Sequence, residues 1–330
     1  MKTINQFNDI FEKLIKKYQT EAILIAISGG QDSISLIKII NKIKKKLVDQ
    51  KSTLITDYIY IDHQWKQYSK DQIKHIINYI KSIGQTIHIY QIKNVELSEH
   101  RCRTIRYHTI IQHAIRYKYK LIITAHNETD KIETLLQNFV RGCGLEGITS
   151  LNIQNKVHEN VYLIRPLINI NRQQSHWICK KMCLPIWSDS TNYIYNISRN
   201  RIRYELIPYI KKYLDHNIES NIKYLQRNYY YDNEYIKQNT IKLYLKSRHK
   251  KYISMNWKQI KHQNFALQSR IIQLFCFYTF NIYLDYDKIT HIIAIKQKRS
   301  NNSFLNIKNK DITFHFNRNN TWLYAKLKYK

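Results

Sequence analysis

Glycine and proline are almost missing from this chain, at 6 and 3 in 330 residues. Five of the six glycines fall in two clusters, Gly29-Gly30 and Gly142/Gly144/Gly147, and no proline follows Pro208. Where so glycine-poor a chain keeps the residue, the backbone needs a turn or a close approach that a Cβ would block. No apolar run approaches the roughly 20 residues that cross a bilayer, so no membrane role is expected. Five cysteines, an odd number without framework spacing, argue against a disulfide scaffold and fit a reducing compartment. Cys179 and Cys183 stand four apart and read as core packing ahead of a metal pair, because two ligands alone seldom hold an ion. The first 19 residues carry Asp9 and Glu12 with no uninterrupted apolar core, so they read as neither signal nor transit peptide. Acidic residues are scarce too: 24 Asp+Glu face 54 Lys+Arg, a formal charge of +30. A field of that sign favours a polyanion, nucleic acid above all. An AT-rich gene also contributes, since Ile, Lys, Asn and Tyr abound together.

What is present begins with Ser28-Gly29-Gly30-Gln31-Asp32-Ser33. This segment follows the apolar run 22–27 and precedes a second one, 34–40. Strand, glycine turn and helix start, in that order, build a phosphate site. Adjacent glycines let the backbone approach an oxyanion, and the first N–H groups of the helix point at it. Ser28 and Ser33 can add hydroxyl donors. Asp32 would be repelled by a polyphosphate unless a cation lay between them, so it reads as a Mg²⁺ ligand. The loop lacks the Gly-Lys-Ser/Thr ending of a Walker loop and the spacing of the dinucleotide fold. A glycine turn without a ligand needs neither the acid nor the paired serines.

Strands at 54–62, 86–92 and 121–124 alternate with helices at 71–83, 98–119 and 130–140, and Gly84 reads as a helix cap. Alternation of this kind predicts an α/β fold, a parallel sheet with helices on both faces. Ligands gather at the carboxyl ends of such strands. Three of those ends carry chemistry: Ser28–Ser33, Asp62-His63 and Ala125-His126. A further strand at 161–164 and a helix at 174–182 follow the glycine-rich stretch 141–150. Beyond 212 the chain turns Lys/Tyr/Asn-rich, with helical periodicity at 221–245 and 265–280 and strand-like pieces at 303–307 and 312–316. We expect a catalytic domain over 1–211 and a smaller, mainly helical basic region over 212–330.

Asp62 ends the second strand, where an acid is either a turn former or a ligand. Arg103 and Arg106 share a helix face and could offer bidentate cations to phosphoryl charge. If a helix has begun by His126, then His126, Asp130 and Glu133 share one face, able to hold a metal or grip an ammonium group.

Together these pieces resemble the tRNA(Ile)-lysidine synthase family. The matching segments are SGGQDS (28–33), IDH (61–63), RTIRY (103–107), AHNETDKIET (125–134), RGCGLEGITSL (141–151), RPL (165–167) and SDSTNYIYNISRNRIRYELIP (188–208). The first identifies only the ATP pyrophosphatase superfamily; the run from RGxGLxG through RPL to RNxxR is far more specific. The resemblance implies that ATP adenylylates O2 of the wobble cytidine in a CAU-anticodon isoleucine tRNA. The ε-amine of free L-lysine then displaces AMP. It implies an ATP site at Ala26, Ser28, Gly29, Gly30, Gln31, Asp32, Ser33 and His126, with Mg²⁺ on Asp32. Catalysis would fall to Asp32, Asp62, Arg106 and Asp130, and the lysine ammonium to Asp130 and Glu133. Arg103, Arg141, Arg165, Arg199, Asn200 and Arg203 would meet the tRNA. Gln64-Trp65-Lys66 and Thr129 stand where the family usually has a Gly-Leu-Arg-like run and a first acid. A second copy of the chain is a candidate partner, and the composition suits a plastid-encoded protein of the stroma or an AT-rich bacterium. Two other readings stand beside this one. A tRNA thiolase of the same superfamily would call for CxxC pairs, and the chain has none. A basic RNA-binding protein with a relic loop would have no use for so intact a set of acids.

Overall fold

The computed structural model describes residues 2–49, 53–64, 68–92, 99–187, 198–295, 303–309, 312–318 and 321–329. The chain divides into two compact units, Met1–Gln226 and Arg227–Lys330.

In the first unit, α1 (Lys2–Tyr18) leads to β1 (Ala22–Ala26), α2 (Gln31–Asp49), β2 (Ile55–Asp62), α3 (Ser69–Ser82) and β3 (Ile87–Gln91). Then come α4 (Glu99–Arg116), β4 (Leu121–Thr124), α5 (Glu128–Val140), α6 (Leu145–Ile148), β5 (Gln154–His158), β6 (Val161–Ile164) and α7 (Arg172–Lys181). After residues that lie outside the description, α8 (Ser198–Arg201) runs into a π-helical turn (Ile202–Leu206) and α9 (Ile207–Tyr213). The strands form one sheet in the order β3-β2-β1-β4-β6-β5, parallel except for the β5–β6 pair. β5 is the strand that the alternation did not announce, because its residues Gln154–His158 are polar and it lies at an edge.

Strands buried on both faces read as continuous apolar runs, and β1 and β4 do so. Side chains alternate across the sheet. Ile23, Ile25, Tyr58, Leu121 and Ile123 pack with Phe7, Phe11, Ile34, Ile37, Ile76 and Ile178 of α1, α2, α3 and α7. Leu24, Ile59, Ile61 and Ile122 face the other way, onto Ile110 and Ala114 of α4. The expected sheet covered on both faces is therefore present. Gly84 takes a left-handed φ of +68° just beyond α3, as a helix-ending glycine does.

The chain winds outward from β1 to β2 and β3, then crosses back to place β4 on the other side of β1. That reversal opens a crevice between the carboxyl ends of β1 and β4, where doubly wound sheets bind ligands. It puts Ser28–Ser33 opposite the segment that follows Thr124.

The long helix α10 (Ile218–Ser247) carries the division between the units. The second unit continues with β7 (Ser254–Asn256), α11 (Trp257–Ile260), α12 (Phe265–Phe280), α13 (Tyr286–Ile293), β8 (Ser303–Asn309), β9 (Ile312–Arg318) and β10 (Trp322–Tyr329). Its core joins Met255, Trp257, Ile271, Phe275, Ile292, Phe316 and Leu323. The two strand-like pieces expected near the C-terminus belong to a four-stranded antiparallel sheet, β7-β10-β9-β8. β7 escaped notice because it is three residues long, and β10 because Lys326 and Lys328 interrupt its apolar pattern.

Candidate active site

The phosphate-type loop is held from several sides. Ser28 Oγ and Ser33 Oγ lie 2.9 Å apart. Ser33 Oγ also reaches Gly30 O at 3.0 Å, and Ser33 is 1 % exposed, so its hydroxyl braces the turn from inside. Gln72 Nε2 of α3 donates to Ser28 O at 2.8 Å, and the Trp187 N–H donates to Gly29 O at 3.4 Å. Gly29 has φ +80°, and a Cβ there would stand 2.8 Å from Ile76 Cδ1. The left-handed backbone demands glycine, and a Cβ would also force the Ile76 side chain to shift. Gly30, by contrast, has nothing nearer than Ser28 Oγ at 3.7 Å and lies open. Cys179 Sγ donates to Gln31 O at 3.3 Å, which ties α7 to the first turn of α2. Burial pushes that thiol up to about 11, as expected for a packed cysteine.

Asp32 begins α2 with Oδ1 buried and without a hydrogen-bond partner among the described residues. Burial raises its pKa, the Asp130 carboxylate adds to that, and Arg172, Asn127 and Ser175 pull the other way. Asn127 Nδ2 and Ser175 Oγ are likewise buried and unsatisfied. Unsatisfied buried polar atoms are uncommon and call for an explanation. A divalent cation on Asp32 supplies one, and a carboxylate oxygen suits Mg²⁺. The Asp32 carboxylate fits the ion, whereas the Asn127 amide is a donor and calls for an acceptor such as a phosphate oxygen.

Asp62 ends β2 and is 3 % exposed. Its Oδ1 accepts the Gln64 N–H at 2.9 Å, closing a turn in which Gln64 has φ +56°. Its Oδ2 is buried with no partner among the described residues. One oxygen thus builds the turn while the other is left unpaired among the described residues. Trp65 and Lys66 lie outside the described residues.

Across the crevice, Asn127 caps α5. Its side chain accepts from Asp130 N at 2.9 Å, and Asp130 Oδ2 accepts from Asn127 N at 3.0 Å. The helix therefore starts at Glu128, and His126 precedes it rather than sharing a helical face with Asp130 and Glu133. His126 is placed by Thr124 Oγ1, 3.0 Å from Nδ1, and by Tyr107 Oη, 3.4 Å from Nε2. Burial pushes its pKa well down; Asp130 opposes this, while Arg165, Arg103 and Arg199 assist. At neutral pH it is an uncharged imidazole.

Asp130 and Glu133 do share a face, and it is occupied. Arg199 bonds Asp130 Oδ1 at 2.7 Å and Glu133 Oε2 at 2.6 Å. Arg203 bonds Glu133 Oε1 at 2.5 Å and Oε2 at 2.8 Å. Glu133 is fully buried, so two guanidiniums share the charge of one inaccessible carboxylate. Burial works to raise the Asp130 pKa, but Arg199, His126, the Asn127 N–H and Arg203 outweigh it and lower it. The four residues form a closed square of charge.

Arg106 on α4 is half-buried, and burial lowers its pKa, helped by Arg103 and Arg199. Arg103 and Arg106 lie 5.7 and 5.9 Å from the Tyr107 ring centroid. Arg165 is 5 % exposed, and its Nη1 holds Asn152 O at 2.9 Å and Asn155 Oδ1 at 3.1 Å. Asn200 is buried as well, at 6 %. Neither faces solvent as an RNA contact would; Arg141, at the end of α5, does. The segment 188–197 lies outside the described residues.

The structure thus gathers Asp32, Arg106, His126, Asp130, Glu133, Arg199 and Arg203 at one crevice, with Asp62 one strand away. Thr129 replaces an acid but has a role, since its Oγ1 accepts the Arg172 N–H at 3.3 Å. Asn127, Gln72, Arg172 and Ser175 were not singled out in the sequence. The N-x-x-D box at 127–130 could have announced Asn127. The other three act through contacts distant in sequence, which leave no local pattern.

A PP-loop domain model matches residues 3–210. The chain is 46% identical over 295 residues to the chloroplastic tRNA(Ile)-lysidine synthase of Gracilaria tenuistipitata var. liui, covering 89% of this chain and 91% of that one. It is 34% identical over 310 residues to the chloroplastic tRNA(Ile)-lysidine synthase of Pyropia yezoensis, covering 94% and 91%. Among solved structures, a U34-tRNA thiolase from Methanococcus maripaludis superposes with a TM-score of 0.51. It covers 67% of this chain and 80% of that one at 17% identity, a likeness of fold alone. Motif order, sheet topology and the two algal relatives agree: the chain belongs to the tRNA(Ile)-lysidine synthase family of PP-loop proteins.

Proposed function

We propose that this protein is the ligase its relatives are named for, joining free L-lysine to C2 of the wobble cytidine of isoleucine tRNA. The base oxygen O2 attacks the α-phosphorus of ATP, and pyrophosphate leaves. The lysine ε-amine then attacks C2, the C2–O2 bond breaks, and AMP departs with O2. The amine proton passes to a base. The single observation that carries this reading is the facing pair at one crevice. A glycine-strained loop with an unsatisfied buried carboxylate stands opposite a capped helix bearing Asp130 and Glu133.

Under this reading Ser28, Gly29, Gly30, Gln31 and Ser33 hold the pyrophosphate end of ATP, Ala26 and His126 line its nucleoside end, and Asp32 holds Mg²⁺. When bound there, the ion would supply positive charge against the phosphates. Arg106 faces charge that builds on the α-phosphate. The neutral His126 adds no positive charge, so it can neighbour a base without a salt bridge. Asp62 offers its open oxygen to substrate. Asp130, the partly exposed member of the pair, grips the lysine ammonium in competition with Arg199 and accepts the amine proton. The buried Glu133, expected in the sequence to share that task, instead holds Arg199 and Arg203 in place. The CAU anticodon, a plastid location beside the chloroplastic relatives, and RNA contacts from 212–330 belong to the same proposal.

The test is mass spectrometry of nucleoside 34 after incubating isoleucine tRNA with ATP and lysine. The expected product is a lysine-bearing cytidine, with AMP and pyrophosphate formed one for one. AMP formed without lysine, or a product bearing sulfur, would sink the reading.

A further inference from the structure

The first unit has a second concavity that this chemistry does not use. A groove of about 550 Å³ opens between the end of α5 and the π-helical turn with α9. Its walls are apolar and open: Val140 is 78 % exposed, Tyr209 57 % and Leu206 37 %. Arg141 and Arg201 stand on its rim. Arg201 pairs with Glu205 at 3.0 Å, but that pair is exposed on both sides and so weakly held.

The groove lies beside the active site. Gln137, in its lining, is one helical turn beyond Glu133, and its Nε2 donates to Ser198 Oγ at 3.1 Å, next to Arg199. One turn advances about 5.4 Å along the axis, so a strand whose base enters the active site has its next nucleotide at the groove. Exposed aromatic rings beside cations are how proteins stack unpaired bases. Here the rings of Tyr209 and Tyr213 lie 5.0 Å apart, with Lys212 Nζ 4.8 Å from the Tyr213 ring centroid. The charge selects the occupant: a second copy of a chain carrying +30 would bring like charge to an already basic rim.

We propose that this groove is a stacking slot for the unpaired nucleotide next to the modified cytidine, with Tyr209 against the base and Arg141 at its phosphate. The proposal rests on the RNA-modifying reading and adds the element that reads the neighbour of the target. Two exposed side chains, and not the catalytic residues, then set how well a loop of given sequence is positioned.

The experiment pairs Tyr209→Ala with tRNA transcripts made abasic at either neighbour of the target. Tyr209→Ala should raise the KM for intact tRNA about tenfold, in line with one lost base stack, and leave kcat nearly unchanged. Tyr209→Phe should behave as the native protein. On one of the two abasic transcripts the Ala variant and the native protein should become equal, because the stacked base is already gone. The proposal is overturned if Tyr209→Ala leaves KM within about twofold, or if its penalty persists on both abasic transcripts. Should native protein modify no tRNA at all, the proposed reaction has failed instead. The slot is then judged by transcript affinity alone, which Tyr209→Ala must still weaken.

Discussion

At the scale of single residues, Asp32 is the most informative. Its ionised form is opposed by burial and by Asp130, although Arg172, Asn127 and Ser175 pull the other way. Its Oδ1 makes no hydrogen bond within the usual distance and angle among the described residues. A carboxyl whose folded pKa lies above its unfolded value costs stability at every pH above the unfolded value, neutral pH included. Asp32→Asn should therefore raise the melting temperature of the nucleotide-free protein while abolishing pyrophosphate release and sparing tRNA affinity. A lower melting temperature would make Asp32 a structural residue. This acid was legible in the sequence, because a carboxylate in a glycine phosphate loop has no other evident use. The pairing of Arg199 and Arg203 with Asp130 and Glu133 was not. The RNxxR segment reads as RNA-facing for want of any local sign that its arginines turn inward. Only the fold brings 199–203 against 130–133.

Elements explain why that pairing is rigid. The i,i+4 spacing of Arg199 and Arg203 puts both on one side of α8 and the π-helical turn, and the i,i+3 spacing of Asp130 and Glu133 does the same on α5. Removing one member of a buried ion pair leaves uncompensated charge and costs about 3–5 kcal/mol. Exposed pairs contribute about 0–1 kcal/mol. Glu133→Ala should therefore destabilise the first unit by several times what Arg201→Ala does, measured by urea unfolding. Equal effects would mean that the charge square is solvated. The elements themselves were mostly readable, since apolar runs mark β1, β2 and β4 and helical periodicity marks α3, α5 and α12. The start of α5, read at 130 with an earlier start at His126 only as a condition, lies at Glu128 because Asn127 caps it. β5, β7 and β10 were hidden by polarity or shortness, and their pairing partners, not their own sequences, make them strands.

For the molecule as a whole, the +30 charge is the dominant physical fact. Phosphate contacts release counterions, so affinity falls steeply with salt. Binding of tRNA should weaken by about 10³-fold or more between 50 and 200 mM salt if six or more phosphates are neutralised. A filter-binding series with a shallow slope would assign most of this charge to genome composition. The sequence foretold an α/β fold in the first part of the chain, since glycine, proline and the recognisable motifs all lie in the first two thirds. It could not show the groove, whose walls at 137–141 and 198–209 meet only in three dimensions.

One small contact gives this enzyme an internal lamp. Trp187, one of only five tryptophans in the sequence, hangs by its backbone N–H from Gly29 O, and its ring lies 5.5 Å from that of His75. Imidazole is a quencher of indole emission, so any shift of the glycine turn that moves Trp187 against His75 alters its brightness. Occupancy of the phosphate loop should therefore change the protein's own fluorescence, to be read in a stopped-flow instrument without a label.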